Sequence, residues 1–149
     1  MSLINENLVV LNLDYPDRHV ATRVLAEALA SEGRVTDLDG FLADVRKREE
    51  QMPTGLPGGI GIPHARSAHV TEPSLVFGRS TGGIDWGAED GPATLIFLIA
   101  APEGGGDDHL KILASLARRL MRTEFRDSLM NAADAAAVVD VVNREVVNQ

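Results

Sequence analysis

From Asp17 to Ser31, apolar residues recur at Val20, Val24, Leu25, Ala28 and Leu29, the spacing of one face of a helix. Gly33 supplies a stop just beyond it. A second helix is predicted after Thr36 or Asp37, either of which can cap it, with Leu38, Phe41, Leu42 and Val45 on its apolar side. That helix runs into the charged stretch Arg46-Lys47-Arg48-Glu49-Glu50, of which Arg46 and Lys47 read as a solvated helix end. Leu8 to Leu13, Ser74 to Ser80 and Thr94 to Ala101 predict strands, the last continuous enough to be buried on both faces. Turn signals separate the last two, at Thr81-Gly82-Gly83-Ile84-Asp85-Trp86-Gly87 and Glu89-Asp90-Gly91-Pro92. A third helix follows Asp107-Asp108, with Leu110, Leu113, Ala114, Ala117, Leu120 and Met121 as its apolar stripe. Arg118, Arg119 and Arg122 stand near its end, where cations suit the helix dipole. Thr123 to Asn131 and Asp134 to Val147 predict two closing helices, although the valines of the last fit a strand as well.

Strands alternating with helices, without repeat or linker, predict one α/β domain over residues 1–149. That length is enough for a sizeable core. The longest apolar run, Leu95 to Ala101, is far shorter than the roughly 20 residues that span a bilayer, so no direct membrane insertion is expected. The N-terminus lacks a secretory pattern, and a cytoplasmic location is expected. With no cysteine there is neither thiolate chemistry nor a cysteine metal site. The net charge of −8 argues against nucleic acid or an anionic membrane as the main partner, while leaving room for a local basic patch.

The chemistry concentrates in Thr54-Gly55-Leu56-Pro57-Gly58-Gly59-Ile60-Gly61-Ile62-Pro63-His64-Ala65-Arg66, read as a loop. Glycines permit close backbone approach, and Pro57 and Pro63 restrict themselves and their predecessors, so the direction of the His64 ring is constrained. The bland alternative is a loop with an ordinary surface histidine. His19, at a helix start, reads as a surface or edge residue. His69 lies five residues after His64, a spacing that puts the two on one face of neither helix nor strand, and reads as a solvated loop residue. His109 occupies the first turn of the third helix, where unpaired N–H groups and the dipole favour an anion and disfavour imidazolium. It either hydrogen-bonds an oxyanion or is a polar residue near a cap.

A neutral imidazole is a nucleophile whose second nitrogen can be held by a hydrogen bond. For a phosphoryl electrophile the site must neutralise three oxygens. Candidate donors are the Gly58-Gly59 backbone, the helix start from Asp107 to Leu110, and Arg48 or Arg66. No nucleotide phosphate loop of the G-x-x-x-x-G-K-[ST] kind is present, which favours a donor other than a nucleotide.

Arg48, Thr54-Gly55, Gly59-Ile60-Gly61-Ile62-Pro63-His64-Ala65 and Asp107-Asp108-His109-Leu110 closely resemble the fructose/mannitol-type enzyme IIA of the bacterial phosphoenolpyruvate-dependent sugar phosphotransferase system. The resemblance covers nearly the whole chain, including Ile84-Asp85-Trp86 and Leu98-Ile99-Ala100-Ala101-Pro102. It implies a central mixed β-sheet flanked by helices, with His64 the phosphorylated residue, His109 its active-site neighbour and Arg48 a charge holding the phosphoryl group. It also implies a phosphocarrier that accepts phosphate from HPr and passes it to a cysteine of a sugar-specific, fructose-class IIB domain. Without a cysteine in this chain, that acceptor belongs on a separate chain. No cofactor and no metal are expected. Gly61 departs from the alanine common at this point of the family and is expected to loosen the approach to His64 slightly. Two other readings compete. One is a regulatory, nitrogen-related enzyme IIA acting through protein partners; the other is a metal-dependent hydrolase using His64, His69, His109 and a carboxylate.

Overall fold

The computed structural model describes residues 3–104 and 108–147. In chain order its elements are β1 (Val9–Val10), α1 (Arg18–Ser31), α2 (Leu38–Gln51), β2 (Gly55–Leu56), β3 (Ile60–Gly61), β4 (His64–Ser67), β5 (Ser74–Ile84), β6 (Ala93–Pro102), α3 (Asp108–Leu120), α4 (Thr123–Met130) and α5 (Ala135–Val142). A 3₁₀ turn, Glu6–Leu8, precedes β1, and a π-helical turn, Asn143–Val147, continues α5.

The helix starts follow their caps. The Asp17 side chain accepts from the N–H groups of His19 and Val20, and Asp37, rather than Thr36, accepts from Gly40 N–H. Asp134 does the same for Ala137, so the valine-rich segment begins as a helix, with Val138, Val141 and Val142 buried on one side. Gly33 takes φ of 72° just past α1, a backbone state that suits glycine at a helix end.

The sheet is mixed, ordered β1-β5-β6-β3-β2, with β4 also pairing β6. The long antiparallel pair β5–β6 is its spine, and the fully buried Leu95 to Ala101 segment is its centre, as the continuous apolar run requires. Phe77 and Phe97, cross-strand partners in that pair, tilt against each other with centroids 5.3 Å apart. The single mixed sheet with flanking helices is the architecture expected.

Several elements differ from the sequence reading. The first strand shrinks to Val9–Val10, because Leu8 is drawn into the 3₁₀ turn capped by Asn5; beyond it, Leu13 donates one hydrogen bond to Arg79. β5 runs on through the expected turn to Ile84, bending at an irregularity between Arg79 and Ile84, where Gly83 takes φ of 81°. On α3 the buried side is Ser115, Leu116 and Leu120, with Ile112 and Leu113 packed against the core. Of the stripe read from the sequence, Leu110, Ala114, Ala117 and Met121 face outward, and Met121 lies past the helix end. The helix carries two apolar faces, and periodicity alone does not say which one meets the sheet.

The glycine-proline segment is the main correction. It is not a free loop but three short strands, β3 and β4 laid along the open edge of β6 and β2 outside β3. β2 and β3 form a hairpin in register Gly55↔Gly61, whose turn uses positive φ at Gly58 and Gly59. β3 then runs parallel to β6 at Leu95 and Ile96, and β4 parallel to it from Ile99 to Pro102. Between them sit buried Ile62 and Pro63, where a residue without an N–H breaks the ladder at no cost in hydrogen bonds. A buried central strand needs partners along its length, and this segment supplies them.

Candidate functional site

His64 opens β4, opposite Ile99 of β6, and the Pro63 carbonyl accepts the Ile99 N–H at 3.0 Å. Strand alternation buries Ala65 and Ser67 and turns His64 and Arg66 to the other face. The ring of His64 is half-buried, and its Nδ1 lies 2.9 Å from the carbonyl oxygen of Ile62. A carbonyl only accepts, so Nδ1 carries the proton in that contact. In the neutral ring the basic lone pair is then on Nε2.

His64 lines a cleft of about 540 Å³ between β4, α2 and the start of α3. From α2 come Asp44, Lys47, Arg48 and Gln51, at the i, i+3, i+4 and i+7 positions of one helix face. β4 adds Arg66, and α3 adds Leu110 and Leu113. Arg48 is half-buried and donates to the Met52 carbonyl at 3.4 Å. Asp44, the cleft's acidic residue, accepts the Ser67 hydroxyl at 2.6 Å. Among the described residues, three cations against one carboxylate line this cleft in a chain of net charge −8, a setting for an anion.

The structure thus brings His64 and Arg48 into one cleft. His109 is the second residue of α3, one position before cleft-lining Leu110; its side chain, and Asp107 altogether, lie outside the described residues. Lys47 joins the cleft rather than merely ending a solvated helix, while Arg46 turns away and stands 3.8 Å from Glu50. The i, i+3, i+4, i+7 row on α2 was legible in the sequence; that it faced β4 was not. The Gly58-Gly59 backbone does not line this cleft, and Gly58 gives its N–H to Asp90 at 2.9 Å. His69 is half-buried rather than solvated. Its Nδ1 is 4.0 Å from Asp37, and it fills the space a side chain on Gly40 would need. That places it at the α2 N-terminus, about 16 Å along the helix axis from the turn carrying Arg48, so it does not share a site with His64. Among the described residues no three histidine, aspartate or glutamate side chains gather as a metal set.

Next to the cleft, the outer face of α3 continues as apolar surface. Leu110 is 53% exposed and Met121 84%, and Ala117 and Met121 line a second cleft with Leu56 and Pro57. Such a rim around a positive pocket is the character of a protein-docking face. No helix among the described residues is long and apolar enough to cross a membrane.

Comparison with known proteins agrees. The family model for the phosphoenolpyruvate-dependent sugar phosphotransferase system, EIIA 2, matches residues 2–145. A fructose-specific EIIA component of Haloferax volcanii is 40% identical over 138 residues, covering 91% of this chain and 90% of that protein. A fructose-specific EIIABC component of Bacillus subtilis is 36% identical over 143 residues, 95% of this chain but 22% of that longer protein. Among solved structures, the nitrogen regulatory protein IIA-Ntr of Neisseria meningitidis superimposes with a TM-score of 0.86 at 27% identity, covering 94% of this chain and 96% of that one. The mannitol IIA in complex with phosphorylated IIB from Escherichia coli shares the fold, with a TM-score of 0.81 at 21% identity over 95% of this chain and 97% of that one. On the family match along almost its whole length, and on the shared fold, this chain belongs to the type 2 EIIA family of the phosphoenolpyruvate-dependent sugar phosphotransferase system.

Proposed function

We propose that this chain is a phosphocarrier that takes a phosphoryl group from HPr on Nε2 of His64. It passes the group to a cysteine of a fructose-class IIB domain on a separate chain, in the cytoplasm. The observation that carries the reading is the pairing of a ring held by its Nδ1 with a cation-lined cleft that contains Arg48. The hydrogen bond to Ile62 leaves the nucleophilic lone pair on Nε2. Arg48, with Lys47 and Arg66, offsets the charge of the phosphoryl oxygens, both in the in-line transfer and in the phosphohistidine. His109, at the N-terminus of α3, supports onward transfer by a hydrogen bond to a phosphoryl oxygen. The apolar outer face of α3 seats the partner protein. The fructose class rests on the 40%-identical fructose-specific EIIA component and the 36%-identical EIIABC component.

Incubation with phosphoenolpyruvate, enzyme I and HPr, followed by mass spectrometry under alkaline conditions, tests this. One phosphoryl group on His64 is the expected result. Label on His69 or His109 in the wild-type protein, or none at all, would overturn it. The close superposition on a nitrogen regulatory IIA favours a second reading, in which the phosphorylation state of His64 governs a regulatory partner. Transfer onward to a fructose IIB domain separates the two.

A further inference from the structure

Glu49 is a buried carboxylate with no part in the chemistry above, yet it is closely held. Both its oxygens accept from one residue. Thr54 donates its backbone N–H to Oε2 at 2.7 Å and its hydroxyl to Oε1 at 2.6 Å. The Arg18 guanidinium stands 3.6 Å from Oε2. Having given its proton to Glu49, the Thr54 hydroxyl accepts the indole N–H of Trp86 at 3.2 Å. Trp86 is buried against the backbone of β3, and a Cβ on Gly61 would come within 2.8 Å of its ring. At its other end, Thr54 accepts the Ile62 N–H on its carbonyl at 3.1 Å. The carbonyl of that same Ile62 holds Nδ1 of His64.

We infer that Glu49 is a positioning residue for His64, acting through Thr54 and Ile62, with Trp86 locking the Thr54 hydroxyl from the side. A carboxylate only accepts, so it sets the direction of the Thr54 hydroxyl and leaves that oxygen a lone pair for the indole. Thr54 so clamped fixes the Ile62 peptide, and the Ile62 carbonyl in turn selects the Nδ1–H form of the ring. Hydrogen bonds in series strengthen one another in a buried setting, and a reacting ring tolerates little misplacement. Gly61 is then the residue that admits Trp86 to the network, rather than one that loosens the approach to His64. The inference rests on the reading of His64 as phosphoacceptor, but part of its test does not.

The test compares wild type with Glu49→Gln, Thr54→Val and Thr54→Ser. Nitrogen-15 spectra of the His64 ring report the tautomer, and steady-state transfer from phospho-HPr separates kcat from KM. In Glu49→Gln one acceptor oxygen remains for two Thr54 donors; with it on the backbone N–H, which can only donate, the amide NH2 faces the hydroxyl, whose proton loses its acceptor. In Thr54→Val the hydroxyl is gone. The wild-type ring should be in the Nδ1–H form, and both variants should gain the Nε2–H form. Their kcat should fall on the order of tenfold, with KM within about twofold, since the docking face is untouched. Thr54→Ser, which keeps the hydroxyl, should restore wild-type spectra and kcat. Folded Glu49→Gln and Thr54→Val proteins with wild-type ring spectra and kcat would overturn the inference, as would a wild-type ring found in the Nε2–H form. Should Glu49→Gln fail to fold, the Thr54 pair decides. Wild-type protein that takes no label on His64 would instead sink the phosphocarrier reading, and the ring spectra would still decide the positioning.

Discussion

Arg46, Lys47 and Arg48 are neighbours in the chain, but the helix sends them to different places. Arg48 and Lys47 line the His64 cleft, while Arg46 sits beside Glu50 on another side of α2. A charge-assisted contact is worth about 1.5–3 kcal/mol, so Arg48→Ala should slow phosphoryl transfer by on the order of tenfold or more. Arg46→Ala should leave transfer rates at the wild-type level, and equal losses at both positions would mean that general basicity matters instead. Asp17 makes a residue-scale prediction of another kind. The N–H of His19 and then that of Val20, both bonded to its carboxylate, hold its pKa below the usual aspartate value. A depressed pKa adds stability above the unfolded-state value, and that stability is lost as pH falls through the folded one. Asp17→Asn, which keeps the cap but not the charge, should therefore melt lower than wild type at neutral pH. The two melting temperatures should converge in acid below the ordinary aspartate range.

At the scale of elements, α3 is informative because both its sides are apolar. Leu116 and Leu120 seal the core, whereas Ala117 and Met121 remain on the surface, lining a cleft with Leu56 and Pro57 further along α3 from the His64 cleft. Met121→Glu should then change stability by no more than about 0.5 kcal/mol, because the side chain is exposed. If this face seats the phosphodonor protein, the same change should raise KM for phospho-HPr while kcat stays near wild type. The β2–β3 hairpin offers a packing test. Gly61→Ala drives a methyl into the Trp86 ring and should destabilise the protein by about 1–3 kcal/mol. Gly82→Ala, with nothing within 4 Å of the added methyl, is the control and should be close to neutral. Equal melting temperatures for the two would mean that the indole shifts freely.

For the molecule as a whole, the sheet and the C-terminal helices are joined by Arg79. From β5 its guanidinium donates to the carbonyls of Leu129, Met130 and Ala132 at 3.0, 3.2 and 2.8 Å. Those carbonyls lie at and beyond the end of α4, where backbone acceptors have no partner within the helix and the dipole is negative. Arg79→Met keeps most of the bulk and removes the donor. It should lower stability by about 1.5–3 kcal/mol, seen as a lower denaturant midpoint at unchanged slope. An unchanged midpoint would show that water replaces the guanidinium without loss. Ser115 and Arg119 of α3 donate to the carbonyls of Val146 and Glu145, tying that helix to the π-helical turn after α5.

Helix spans, caps and the two long strands were legible in the sequence, because 3.6-residue periodicity, capping aspartates and a continuous apolar run are local signals. The cleft residues His64 and Arg48 were legible too, through a specific Ile-Pro-His-Ala motif with an upstream Thr-Gly and a basic residue before it. Three things were left to tertiary structure. The glycine-proline segment became strands because the open edge of β6 offered it hydrogen bonds, and no local pattern records an edge that lies some 35 residues further along the chain. The outward side of α3 was set by which of its two apolar faces met the sheet, a choice that depends on what the other helices already cover. The link from Glu49 through Thr54 to Ile62 and His64 spans residues whose spacing has no helical or strand period. Local propensity thus determined the elements and the chemistry available, and long-range pairing decided which side chains share a cleft.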